Sequence, residues 1–150
     1  MMISCELDGS TEECFKYYLG GLLHDVGKLG IPESILFKPS RLTEEEYDII
    51  KKHPQSGHDT LKNCDVFKEH HQILDIVLYH HERFDGSGYP MKLKGEQIPL
   101  AARILAIADS FDAMTTPRIY RKERDMEYAV NQISENMGTQ FDPEIADVFF

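Results

Sequence analysis

The chain is short of cysteine, of positive charge, of long apolar runs and of any alternating strand pattern. Cys5, Cys14 and Cys64 are odd in number and lack metal-type spacing, which points to reduced thiols in a cytoplasmic protein. No apolar run approaches the roughly 20 residues of a membrane span. Met1 to Ser10 carry acids and no basic leading region, so neither a membrane anchor nor a signal peptide is expected. Lys and Arg number 16 against 26 Asp and Glu, a net charge of −10. A general nucleic-acid surface needs basic phosphate contacts, so DNA is not an expected partner. One small phosphate ligand in a local basic pocket stays compatible with that charge. Repeats and low-complexity tracts are missing too, and residues 1–150 read as a single all-α domain.

What is present is helical periodicity with strong end signals. Ser10 to Glu13 and Thr43 to Glu46 have capping-box spacing. The first predicts a helix running to His24 or Lys28, with Phe15, Leu19, Leu22 and Leu23 on its buried side. Gly20-Gly21 would allow another backbone to approach closely. Ile31 to Arg41 reads as a loop pinned to the core by Ile35, Leu36 and Phe37. A helix from Thr43 reaches His53, where Pro54 breaks it and starts a short one to about Leu61. Longer helices are expected from about Phe67 to His80, and from Pro99 to about Met114. Asp125 caps a helix ending at Gly138, and Pro143 opens a last short one.

The chemistry concentrates in His80-His81-Glu82-Arg83-Phe84-Asp85-Gly86-Ser87-Gly88-Tyr89-Pro90. An apolar run leads into two imidazoles, which then meet a glycine-rich turn. Neutral imidazole is the commonest metal ligand, and mixed imidazole and carboxylate sites suit Fe, Mn, Zn or Ni. His70-His71 is a contrasting pair, set among Lys68, Glu69 and Gln72 as on a solvated helix face. His24-Asp25 reads either as a site or as a capped helix end, and His53 either as a ligand or as a helix-end residue. Lys28 lies one turn after His24 and could meet a phosphate oxygen. Asp109 ends a helix that is apolar on nearly every side, so its carboxylate is expected to be buried and paired. Asp112 is either a partner for an imidazole or a helix-end acid. Together these groups suffice for two metals sharing a carboxylate, which can clamp and activate water for attack on a phosphorus ester. Arg118, Arg121, Lys122 and Arg124 are either a phosphate-binding group or a solvated basic turn.

These residues, in this order, resemble the HD-GYP family, a branch of the HD-type metal-dependent phosphohydrolases. Leu22 to Lys28 resembles its HD motif, Lys52-His53-Pro54 with Gly57 its next histidine block, and His80 to Pro90 its naming motif. Ala108-Asp109 with Phe111-Asp112-Ala113, then Arg118, Tyr120 and Arg121, resemble the block that follows. The resemblance implies an HD-type helical bundle that hydrolyses cyclic di-GMP in bacterial signalling; the alternatives are a catalytically impaired nucleotide-binding or protein-interaction module of the same fold, or an HD-type hydrolase of another nucleotide phosphate. It implies that His24, Asp25 and Asp109 serve one divalent transition metal and His53, His80 and His81 a second, with Asp25 bridging. The metals would be Fe or Mn, with Zn or Ni as alternatives. Lys28 would touch the scissile phosphate; Tyr89, Arg118 and Arg121 would hold the nucleotide. The Asp85–Pro90 loop would meet a diguanylate cyclase or another signalling protein. The family also supplies a histidine from a helix upstream of the HD pair, and residues 1–23 contain none. The expectation is therefore a short domain that lacks this helix and is clipped at its C-terminus. Its first metal site would be incomplete, with apolar surface free for a homodimer.

Overall fold

The computed structural model describes residues 10–116 and 125–150. They form eight α-helices joined by short 3₁₀ turns, with no strand among the described residues. Helix α1 spans Thr11–Leu23, α2 Glu33–Leu36, α3 Glu44–Ile50, α4 His53–Leu61, α5 His71–Tyr79, α6 Leu100–Thr115, α7 Met126–Glu135 and α8 Pro143–Phe149. The all-α expectation holds.

The end signals act where the sequence sets them. Thr43 and Glu46 form a complete capping box: Glu46 N–H donates to Thr43 Oγ1 at 3.2 Å, and Thr43 N–H to Glu46 Oε2 at 2.8 Å. At Ser10 only one arm forms, with Glu13 N–H donating to Ser10 Oγ at 3.1 Å. Glu13 turns its carboxylate elsewhere, accepting from Lys16 at 2.8 Å and from Gln72 of α5 at 3.1 Å. It thereby gives up a local cap for a link between helices.

Several expected boundaries and faces shift. Helix α1 stops at Leu23, and a 3₁₀ turn over Val26–Gly30 follows. Its buried residues are Cys14, Tyr17 and Gly20, whereas Phe15 and Leu22 are 61% and 63% exposed. Apolar residues lie on both sides of this helix, and packing against α5 selects the stripe that carries Gly20. Phe37 is 67% exposed; Ile31 is the residue of that loop that buries. The helix expected from Phe67 begins only at His71, after a 3₁₀ turn at Asp65–Phe67. Cys64 is free and exposed, but Cys14 is disulfide-bonded, against the expectation of reduced thiols.

The core gathers on α6, where Ala101, Ile104 and Ile107 pack with Tyr17, Ile76, Ile133, Phe141 and Ile145. Arg103 of α6 donates to Ile98 O at 2.9 Å and pairs with Asp142, the N-cap of α8. That buried pair fixes the 137–142 turn against the start of α6. Two close approaches then set the site. A Cβ on Gly27 would stand 2.6 Å from Gly57 N and closer still to the His53 carbonyl, so the Val26–Gly30 turn lies backbone on backbone against α4. A Cβ on Gly88 would stand 2.6 Å from both His81 O and Glu82 Cα. Only glycine permits either approach.

Candidate metal centre

Three histidines arrive by one local rule. Each sits three residues beyond a carbonyl at the end of a helix, where the last carbonyls have no helical donor. His24 Nδ1–H donates to Gly21 O at 2.6 Å, His53 Nδ1–H to Ile50 O at 2.7 Å, and His80 Nδ1–H to Val77 O at 3.0 Å. A carbonyl can only accept, so Nδ1 holds the proton and Nε2 presents a lone pair. Such a bond on the far nitrogen is what orients an imidazole for a metal.

Those lone pairs converge on Asp25. His53 Nε2 lies 3.2 Å from His80 Nε2 and 3.2 Å from Asp25 Oδ1; His80 Nε2 is 3.9 Å from the same oxygen. Asp25 Oδ1 is buried and accepts no hydrogen bond. An unsatisfied buried acceptor facing lone pairs costs about 1–3 kcal/mol, and a cation would answer every one of these atoms at once. Asp25, His53, His80 and His81 each offer a ligand atom, all within 4.8 Å of one another. The donor set of imidazole nitrogen and carboxylate oxygen suits a divalent transition metal, so the residues present fit such an ion.

The other oxygen of Asp25 faces the opposite way. Oδ2 accepts from Lys28 Nζ at 2.6 Å and lies 3.5 Å from His24 Nε2. His24 Nε2 is in turn 3.7 Å from Asp109 Oδ1. Asp25 thus stands between two groups, one made by His53, His80 and His81, the other by His24 and Asp109. Burial pushes the His80 imidazole down to about 2 and that of His81 down to about 4, so both are neutral near pH 7.

Asp109 departs from expectation. Its side chain is 36% exposed rather than buried, because α6 is apolar over its first turns and meets an open cavity at Ala106 to Ser110. Asp112 is a helix-end acid: it is exposed and accepts from Thr116 Oγ1 at 3.0 Å, while backbone carbonyls hold the imidazoles. Tyr89 stacks on the His81 ring with centroids 4.8 Å apart, and burial raises its hydroxyl pKa. Arg118 and Arg121 lie outside the described residues.

The cluster opens into a cavity of about 450 Å³. Its roof is the loop after α5, held by Glu82. The buried carboxylate of Glu82 accepts from Met91 N–H at 2.6 Å and Leu93 N–H at 3.1 Å. Tyr89 N–H donates to His81 O at 3.2 Å, and Asp85 Oδ1 accepts from both the N–H and the hydroxyl of Ser87. Tyr47, Arg83, Ser110 and Gln140 also line the cavity. No sequence pattern assigns a role to these four. Arg83 sits inside the conspicuous motif, but Gln140 carries no local signal and reaches the site through partners far along the chain.

A helical bundle with this His/Asp cluster at the mouth of a cavity is the architecture of a metal-dependent phosphohydrolase, and the chain belongs to the HD domain family, whose model matches residues 1–145. Among curated proteins it is 42% identical over 146 residues to the cyclic di-GMP phosphodiesterase response regulator RpfG of Xanthomonas campestris pv. campestris, covering 97% of this chain and 38% of that one. It is also 42% identical over 144 residues to 3′3′-cGAMP-specific phosphodiesterase 1 of Vibrio cholerae serotype O1, covering 95% and 33%. The crystal structure of a cyclic GMP-AMP-specific phosphodiesterase of V. cholerae shares the fold, with a TM-score of 0.68 at 24% identity over 97% of this chain and 39% of that one. The chain therefore spans between about a third and two fifths of these relatives. No helix among the described residues is long and apolar enough to cross a membrane.

Proposed function

We propose that this chain is the phosphodiesterase domain of an HD-GYP-type protein and hydrolyses cyclic di-GMP with two divalent metals, Fe or Mn. The unsatisfied Asp25 Oδ1, buried among imidazole lone pairs, is the observation that carries the metal reading. His53, His80 and His81 would hold one ion and His24 and Asp109 the other, with Asp25 shared between them. When bound, the metals supply Lewis acidity to water and to the phosphoryl oxygens. The Lys28 ammonium, now on Asp25, lines the cavity where a phosphate would sit and would neutralise charge developing on it. Tyr89, stacked on His81, would hold the nucleotide and exclude water from the metal face.

A second reading keeps the fold and loses the turnover. It rests on Asp25 Oδ2, which is engaged by Lys28 at 2.6 Å, and on His24 and Asp109, which stand outside the tight four-residue cluster. Metal analysis with a turnover assay on cyclic di-GMP separates the two. Two metals per chain with linear product support the enzyme; one metal and no product support a binding module. His53→Ala should remove most of the metal in either case, and an unchanged metal content would overturn the ligand set.

A further inference from the structure

The two oxygens of Asp25 are in different states. Oδ1 is buried and accepts nothing, while Oδ2 accepts from Lys28 Nζ at 2.6 Å. The carboxylate therefore has one arm open and the other already on a cation. The local chain decides which arm is taken. Lys28 N–H donates to Asp25 O at 2.9 Å as the 3₁₀ turn begins, and side chains three apart eclipse in such a turn. The ammonium is thus delivered to Oδ2, while Oδ1 points at the imidazoles of His53 and His80, 3.2 and 3.9 Å away.

On the Oδ2 side the acceptors are spread out. His24 Nε2 is 3.5 Å from Asp25 Oδ2 and 3.7 Å from Asp109 Oδ1. His24 spends its Nδ1–H on Gly21 O, so Nε2 carries a lone pair. A lysine ammonium is a compact charge with donors only, on a flexible stem. Lys28 supplies positive charge beside these acceptors. A divalent ion shared by His24, Asp109 and Asp25 would meet that ammonium at Oδ2, and two cations at such short range repel. Oδ1 has no such competitor. The Lys28 side chain is 34% exposed and lines the cavity, so an ammonium that leaves Oδ2 has open space to enter without disturbing the turn.

We propose that Lys28 is a placeholder cation. In the metal-free chain it holds the second-ion position, makes that position load after the one at His53, His80 and His81, and swings into the cavity when the second ion arrives. Full metal loading and the arrival of a positive charge for the phosphate are then one event. This role rests on the two-ion reading of the site.

The test is calorimetric titration of Mn²⁺ into the metal-free 150-residue chain with no nucleotide present. The wild type should show two steps, the second weaker by about tenfold or more. Lys28→Met keeps an unbranched stem and removes the charge; its second step should tighten by about tenfold, and its first by less than about threefold. Lys28→Arg keeps a cation there, and both of its steps should stay within about threefold of wild type. A single ion in the wild type and two in Lys28→Met would be the same competition in its strongest form. A second step in Lys28→Met that is unchanged or weaker overturns the placeholder and leaves the two-ion reading standing. Equal tightening of both steps marks a general effect of charge and also overturns it. One ion or none in all three proteins removes the two-ion reading itself, and the placeholder with it.

Discussion

Replacing Gly27 by alanine tests whether the Val26–Gly30 turn and α4 are locked together as the packing requires. The added methyl would stand 2.6 Å from Gly57 N and closer to the His53 carbonyl, where ordinary contact begins at 3.4 Å. The two segments must therefore part by at least about 0.8 Å. Both obstacles are backbone, so no side chain can swing aside. Overpacking costs about 1–3 kcal/mol where side chains absorb it, and a backbone obstacle sets the expectation at about 3 kcal/mol. With a urea m-value of about 2 kcal/mol/M, the unfolding midpoint should drop by about 1.5 M. The same displacement carries His53 away from Asp25 Oδ1, now 3.2 Å apart. A disturbed ligand shell lowers metal affinity by about 10–100-fold. Gly30→Ala is the matched control, because nothing lies within 4 Å of its added methyl. Circular dichroism in urea and a Mn²⁺ titration read both effects. If Gly27→Ala keeps the wild-type midpoint and Mn²⁺ affinity, the close approach does not position His53 and the packing argument fails.

Two more outcomes follow from burial. Arg103→Leu leaves the Asp142 carboxylate, 4% exposed, without its cation and should cost about 3–5 kcal/mol; a urea midpoint within error of wild type would show that the pair contributes little. His80 and His81 are held neutral in the fold, His81 to about 4, but titrate near 6.5 once unfolded. The unfolded chain alone therefore takes up these protons as pH falls from about 6.5 towards 4. Metal-free stability is full above that window and should decline within it by about 1.4 kcal/mol per pH unit for each histidine. His81→Gln should flatten the slope, and a stability independent of pH between 7 and 5 would contradict the buried neutral state.

The sequence made the helices legible where local chemistry specifies them. Thr43 with Glu46, Asp125, and Pro143 after Asp142 each act within one turn, and each caps a helix in the fold. Faces were less legible. Phe15 and Leu22 fit the helical period as well as Cys14 and Tyr17 do, and only the presence of α5 decides which stripe buries. The histidine pairs and the HD pair stand out because imidazoles beside glycine turns are unusual patterns. Periodicity places Asp109 in a buried setting because it records the company a residue keeps on its own helix, not the cavity beside it, where the carboxylate is in fact half-buried. Gln140 could not be found at all: its partner Arg83 lies 57 residues earlier, and a lone glutamine in a turn carries no pattern.

The rule that each histidine spends its Nδ1–H on a carbonyl three residues back has a consequence for motion. These three histidines sit where helices fray first, so a frayed last turn at Gly21, Ile50 or Val77 would let an imidazole rotate. An ion held by Nε2 would resist that rotation in all three places together. Metal binding would then appear as slowed amide hydrogen exchange at three helix ends far apart in sequence, a pattern that no single helix could produce.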